Sequence, residues 1–242
     1  MPMKEYLYHG QAFGVDANIT DPGPYRLDGH GKCALPDGKA GHPTGNHSGF
    51  TMPGGLSHGA CATEVNAMRE DAQGFFRTEI RAAVENLRVD GKSILTVDRI
   101  VLGMVTVYRR DWYDQPGPHA RRTRVLPLDC SFVNLTLNGA PLTAELPAPF
   151  HYPADRREAY LAADKPDPGI DAEVRQAIID SPSRCVYIPN FGRIFFGEWT
   201  LLPNENWHPV HQIAMLRMAF SSPPSGGGTG GNGQGDGDPG GS

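Results

Sequence analysis

Ser57 lies at the centre of Gly55-Leu56-Ser57-His58-Gly59, a match to the G-x-S-x-G turn that lifts a serine hydroxyl above a sheet as a nucleophile. That chemistry needs a strand running into the turn, and the preceding Thr51-Met52-Pro53-Gly54 carries no strand pattern. The match is read as chance in a glycine-rich stretch, and no catalytic residue is assigned. Glu205, His208 and His211 form a tighter group, and His42, His47 and His58 fall in the stretch 21–61, crowded with Gly, Pro, His and Asp. Imidazole and carboxylate together suit a transition metal. An H-x-x-H spacing alone does not set two imidazoles on one ion, and with Pro209 between them and Trp207 beside them, His208 and His211 suit a hairpin loop and a strand start. H-E-x-x-H does not occur. The leading expectation is no metal and no cofactor; the alternative is a metal-dependent enzyme using Glu205, His208, His211 and the loop histidines.

Cys33, Cys61, Cys130 and Cys185 have no C-x-x-C spacing, which removes zinc ribbons and thioredoxin-type sites. Two readings stay open: buried free thiols, or disulfides with Cys33–Cys61 and Cys130–Cys185 as the favoured pairing. Trp112 and Tyr113, in an Arg/Pro loop, and Trp207 are candidates for a glycan-binding face, because flat aromatic rings take the CH groups of sugars. Trp199 reads as core. A net charge of −5 with both signs interspersed makes no electrostatic case for nucleic acid. No apolar run reaches bilayer-spanning length.

The elements that must position these groups are mainly antiparallel strands. Asn86-Leu87-Arg88-Val89-Asp90-Gly91 returns as Asn134-Leu135-Thr136-Leu137-Asn138-Gly139. Each reads as a strand ending in a turn, since Asp-Gly and Asn-Gly tolerate the positive φ that tight hairpins require. From 76 to 85 the apolar residues Phe76, Ile80, Ala82 and Val84 alternate with charged ones, and at Asn86 the phase changes to Leu87 and Val89, which predicts a bulge. Residues 94–108 are apolar on both faces and predict a central strand. Further strands are expected over 6–20, 132–137, 186–188, 192–202 and 212–220, with Ala214, Leu216, Met218 and Phe220 on one face. The stretch 21–61 predicts a long loop. A short helical insertion is expected over 153–180, the second helix capped by Asp167 with Pro168 in its first turn. Residues 1–220 therefore predict one all-β domain, an antiparallel Greek-key-like sandwich or flattened barrel, followed by a disordered Gly-rich tail, 221–242.

Several blocks, in this order and spacing, resemble the choice-of-anchor P family of bacterial surface-associated proteins over about residues 75–220. They are Val84-Glu85-Asn86-Leu87-Arg88-Val89-Asp90-Gly91, Leu95-Thr96-Val97-Asp98-Arg99-Ile100-Val101, Val133-Asn134-Leu135-Thr136-Leu137-Asn138-Gly139, and Ile188-Pro189-Asn190-Phe191-Gly192-Arg193-Ile194 with Gly197-Glu198 after it. The resemblance implies a β-rich module on secreted or cell-wall proteins and brings no catalytic residues. The expected function is a non-catalytic structural or binding module, surface-associated or self-assembling. A protein partner or a second copy is favoured over a small molecule, and a glycan is the further candidate. The leaderless start points to the cytoplasm and the resemblance to the cell surface.

Overall fold

The computed structural model describes Tyr8 and residues 10–19, 25–36, 39–52, 55–70, 74–91, 93–109, 123–165, 167–189, 191–202, 210–220 and 228–231. The described residues are 59% strand and 17% helix, all-β and sandwich-like, and no closed barrel is found among them. A nine-stranded sheet holds β5 (Thr44–His47), β6 (Phe50–Met52), β7 (Leu56–His58), β8 (Cys61–Glu70), β9 (Phe75–Val89), β10 (Leu95–Arg109), β11 (Arg124–Val133), β12 (Thr136–Leu137) and β13 (Ala140–Pro141). A six-stranded sheet runs β14 (Cys185–Ile188), β15 (Gly192–Leu202), β16 (Val210–Phe220), β17 (Gly228–Gly231), β2 (Val15–Ile19) and β3 (Tyr25–His30). A small ribbon pairs β1 (Gln11–Ala12) with β4 (Cys33–Ala34). Two helices, α1 (Ala154–Ala162) and α2 (Pro168–Asp180), follow β13.

The main core joins the two sheets. Val65, Ile80, Val84, Leu102 and Met104 from one meet Val15, Leu27, Ile194, Trp199, Met215 and Met218 from the other. β10 is buried on both faces, as its apolar run requires: Leu102 and Met104 enter this core, while Val105 and Val107 enter a smaller cluster with Tyr160, Leu161 and Ile170 from the helices.

The repeated segments flank β10 symmetrically. Val89 and Leu137 both pair with Leu95, and Arg88 and Thr136 both pair with Thr96. Asn86 and Asn134, at the head of each copy, both have φ 50°, the left-handed backbone that asparagine tolerates. At Asn86 the core-facing positions of β9 shift from Val84 to Leu87, so a single left-handed residue makes the phase change. Asn138-Gly139, with φ 51° and 79°, forms the two-residue turn between β12 and β13. Asp90-Gly91 instead opens a longer connection to β10. That connection is held from outside: Ile94 donates its N–H to the Asn138 side chain at 2.8 Å, and the Asn138 N–H donates to the Ile94 carbonyl at 2.7 Å.

The helices sit close to the expected places. Asp167 Oδ1 accepts from the Gly169 and Ile170 N–H groups at 2.8 and 3.2 Å, with Pro168 in the first turn. α1 is tied to the sheet by Arg77, whose guanidinium grips Glu158 through two bonds of 2.8 and 2.9 Å, and by Arg157 on Asp129 at 3.0 Å. Among the described residues no helix is long and apolar enough to cross a membrane.

Two expectations are corrected. The stretch 21–61 is not a loop but carries β3 to β7. Its strands are short, and where backbones touch the residue is glycine, so apolar alternation never marks them; a Cβ on Gly45 would lie 2.3 Å from the Gly31 carbonyl oxygen. Within the tail expected to be disordered, β17 pairs with β16 on one side and β2 on the other; there, two neighbouring strands supply the backbone partners that an apolar face would otherwise have to justify. On β16, Ala214, Leu216 and Met218 are buried on the expected face, and Ile213 and Met215 are buried on the other.

Candidate functional site

Of the groups singled out from sequence, the structure brings together only His47 and His58 among the described residues. Glu205, His208, Trp207, Trp112 and Tyr113 lie outside the described residues. His211 stands on β16 and accepts the Trp199 indole N–H through Nδ1 at 3.1 Å, a core arrangement. Burial pushes its pKa down to about 4, so it is neutral near pH 7. His42 is half-exposed, 3.5 Å from Glu64. Ser57 lies within β7, paired to Thr51 of β6 and Arg88 of β9, so it occupies a hairpin strand and not a strand-to-helix elbow.

The four cysteines are free thiols. Cys130 and Cys185 stand on different sheets. Cys33 lies 3.2 Å from the Thr63 hydroxyl, and Cys61 3.3 Å from His58 Nδ1. Burial raises the Cys33 pKa and pushes Cys61 and Cys130 up to about 12, which leaves these three protonated and unreactive at neutral pH.

What the fold does bring together is His30, His47 and His58. His30 ends β3 of the six-stranded sheet, while His47 ends β5 and His58 ends β7 of the other. One potential ligand atom from each lies within 4.8 Å of the others. Their meeting depends on the close passage of β5 over the turn after β3, which only Gly45 permits. Thr63 fastens the same place by donating its hydroxyl to the Gly31 carbonyl. The seam between the sheets is thus built from glycine, a threonine bond and three imidazoles.

Ring orientations follow from hydrogen bonds. His58 Nδ1 donates to the Gly59 carbonyl at 2.7 Å. Since a carbonyl only accepts, the lone pair of His58 is on Nε2, where it receives His30 Nδ1 at 2.8 Å. His47 stacks on His30 with centroids 3.9 Å apart and planes at 8°, and its Nδ1 accepts the Gly49 N–H at 3.3 Å. Phe50 walls the group, its ring centroid 5.0 Å from that of His30 and 5.9 Å from that of His58. His58 is buried, whereas His30 and His47 are half-buried, so the group opens to solvent on one side. Burial lowers the pKa of His30, with the charges of His47 and His58 adding to it. Burial likewise lowers that of His58, against its bond to Gly59 and with His47. Uncharged imidazoles with available lone pairs are donor ligands.

Of these three, only His47 and His58 stand out in the sequence, and in a different grouping. His30 is seventeen positions before His47 and shares no local motif with it; only the fold makes them neighbours. Residues 6–166 match the DUF8256 family, described as a domain of unknown function. No curated protein and no solved structure matches. The matched span contains all three histidines.

Proposed function

Because the chain belongs to the DUF8256 family, whose description assigns no activity, we propose a function from the seam itself: the chain is a binding module that takes a ligand at His30, His47 and His58. The observation that carries this is the convergence of three imidazoles from two sheets on one solvent-open spot. A ligand that binds only the folded seam stabilises it by RT ln(1 + L/Kd), with L the free ligand concentration, so the melting temperature rises with ligand concentration. The module is structural in the same sense, since the occupied seam clasps β3 to β5 and β7.

The test is a thermal-shift panel of metal ions, small anions and short peptides on the full chain and on His30→Ala. One class is expected to raise the melting temperature of the wild type and leave the variant unmoved. If no class does so, the seam is not a binding site.

A second reading, self-association, is favoured by β14. It ends the six-stranded sheet, and Tyr187 on it is 62% exposed beside the partly exposed Val186. Such edges pair with other chains. A concentration-dependent mass in light scattering, abolished by Val186→Lys, supports it; a constant monomer mass refutes it. The likeness to choice-of-anchor P proteins favours a cell-surface setting for either reading.

A further inference from the structure

We propose that the ligand of the seam is a late first-row divalent metal ion of the zinc class, bound by His30, His47 and His58. This rests on the reading of the seam as a binding site and adds the chemistry of what is bound.

The strongest support comes from the pair His30 Nδ1 and His58 Nε2, 2.8 Å apart and sharing one proton. Two nitrogens on a tetrahedral zinc, each about 2.0–2.1 Å from the ion, stand roughly 3.3 Å apart. The pair therefore has to open by only about half an ångström for the ion to take the place of the shared proton. His30 remains a neutral imidazole, its proton moving from Nδ1 to Nε2, so no net charge is lost from the protein. His58 already has the support that ligating histidines use: its other nitrogen donates to a backbone carbonyl, Gly59, which sets the tautomer and holds the ring.

His47 is the least committed of the three. Its Nδ1 lone pair faces the Gly49 N–H, so ligation through either nitrogen costs it that long bond. The expected order of loss on alanine replacement is therefore His58 and His30 first, His47 last. Imidazole donors suit zinc, copper and nickel over magnesium or calcium, which want oxygen. Among the described residues no carboxylate joins the cluster. Three neutral ligands leave the charge of the ion uncompensated and a coordination position free, facing the open side, for water or a small anion. The Phe50 ring packs against His30 and His58.

The test uses the untagged full chain, stripped with chelator and titrated with zinc by calorimetry. One equivalent is expected to bind, with affinity reduced by at least about a hundredfold in His30→Ala, a loss at or beyond that caused by removing support around a metal ligand. His58 is buried, so the half-exposed His30 and His47 decide the outcome, with circular dichroism confirming that each variant is folded. The His42–Glu64 pair is the control, and His42→Ala is expected to bind as the wild type does. Copper bound in place of zinc should show coupling to imidazole nitrogens in its electron paramagnetic resonance spectrum, weaker in the His30 variant. Failure to bind any of zinc, copper or nickel, equal binding by wild type and His30→Ala, or loss in His42→Ala instead, each overturns the proposal. If zinc fails while an anion or peptide shifts the melting temperature through His30, the binding module stands and the metal falls.

Discussion

Trp199 is fully buried, and the hydrogen bond from its indole to His211 works only while His211 is uncharged on Nδ1. Burial holds the folded-state pKa of His211 at about 4, against an ordinary value of 6.5. A depressed histidine pKa means that the unfolded chain takes up the proton first. The contribution of His211 is therefore complete above pH 6.5 and is lost as pH falls from there toward 4. The window corresponds to about 3 kcal/mol. Urea unfolding at pH 7.5 and pH 5 should show the wild type losing more stability than His211→Leu over that interval. The variant also loses the Trp199 bond, but that cost is the same at both pH values. Equal pH slopes would refute the assignment. In the sequence, His211 reads as half of an H-x-x-H pair, because spacing along the chain does not tell that its nitrogen faces an indole. His30 is illegible for the complementary reason: it has no local partner, and its neighbours arrive from another sheet.

At the level of elements, α1 ends without the glycine that commonly closes a helix; its last cap, Ala163, is extended. The closure comes from β11. Buried Arg124 donates to the carbonyls of Tyr160, of Leu161 at 3.3 Å and of Ala163 at 2.7 Å, and its guanidinium lies 5.1 Å from the Tyr160 ring. Arg124→Met keeps the apolar bulk and strips the donors, which should cost about 3 kcal/mol given two or more buried carbonyls left without partners. Hydrogen exchange should accelerate first in 158–163 while β9 and β10 stay protected; uniform acceleration would mean that the arginine supports the sheet instead. Here the sequence is partly informative. Asp167 and Pro168 mark the start of α2 because N-caps are local, whereas the end of α1 depends on a residue far back in the chain. The same division separates the legible strands, β9, β10, β15 and β16, from β3 to β7. Long strands bury alternate side chains and leave a pattern, but short ones held by backbone approach do not.

For the molecule as a whole, β17 is the surprise. It gives β2 its neighbour in the six-stranded sheet, through Gly228↔Asn18, Thr229↔Ala17 and Gly230↔Asp16, and meets β16 through Leu216↔Gly231 to Ala219↔Gly228. A chain ending at Phe220 should therefore lose the in-sheet connection between β2–β3 and β15–β16. Its melting temperature is expected to fall by about 5 °C or more, at about 2–4 °C per kcal/mol for a domain of this size, with exchange protection lost in β2 and β3 before β9 and β10. An unchanged melting temperature would show that β17 contributes nothing. The placement of β17 also orders events in time. β2 and β3 leave the ribosome long before β17, the strand that seats them beside β16. At roughly 5–20 residues per second, His30 waits on the order of 10–40 s for its sheet to be completed. During synthesis, then, the nine-stranded sheet can form its β8–β9–β10 body while the half of the seam carried by His30 is still unlocked, and β17, made long after β2 and β3, determines when they come to rest.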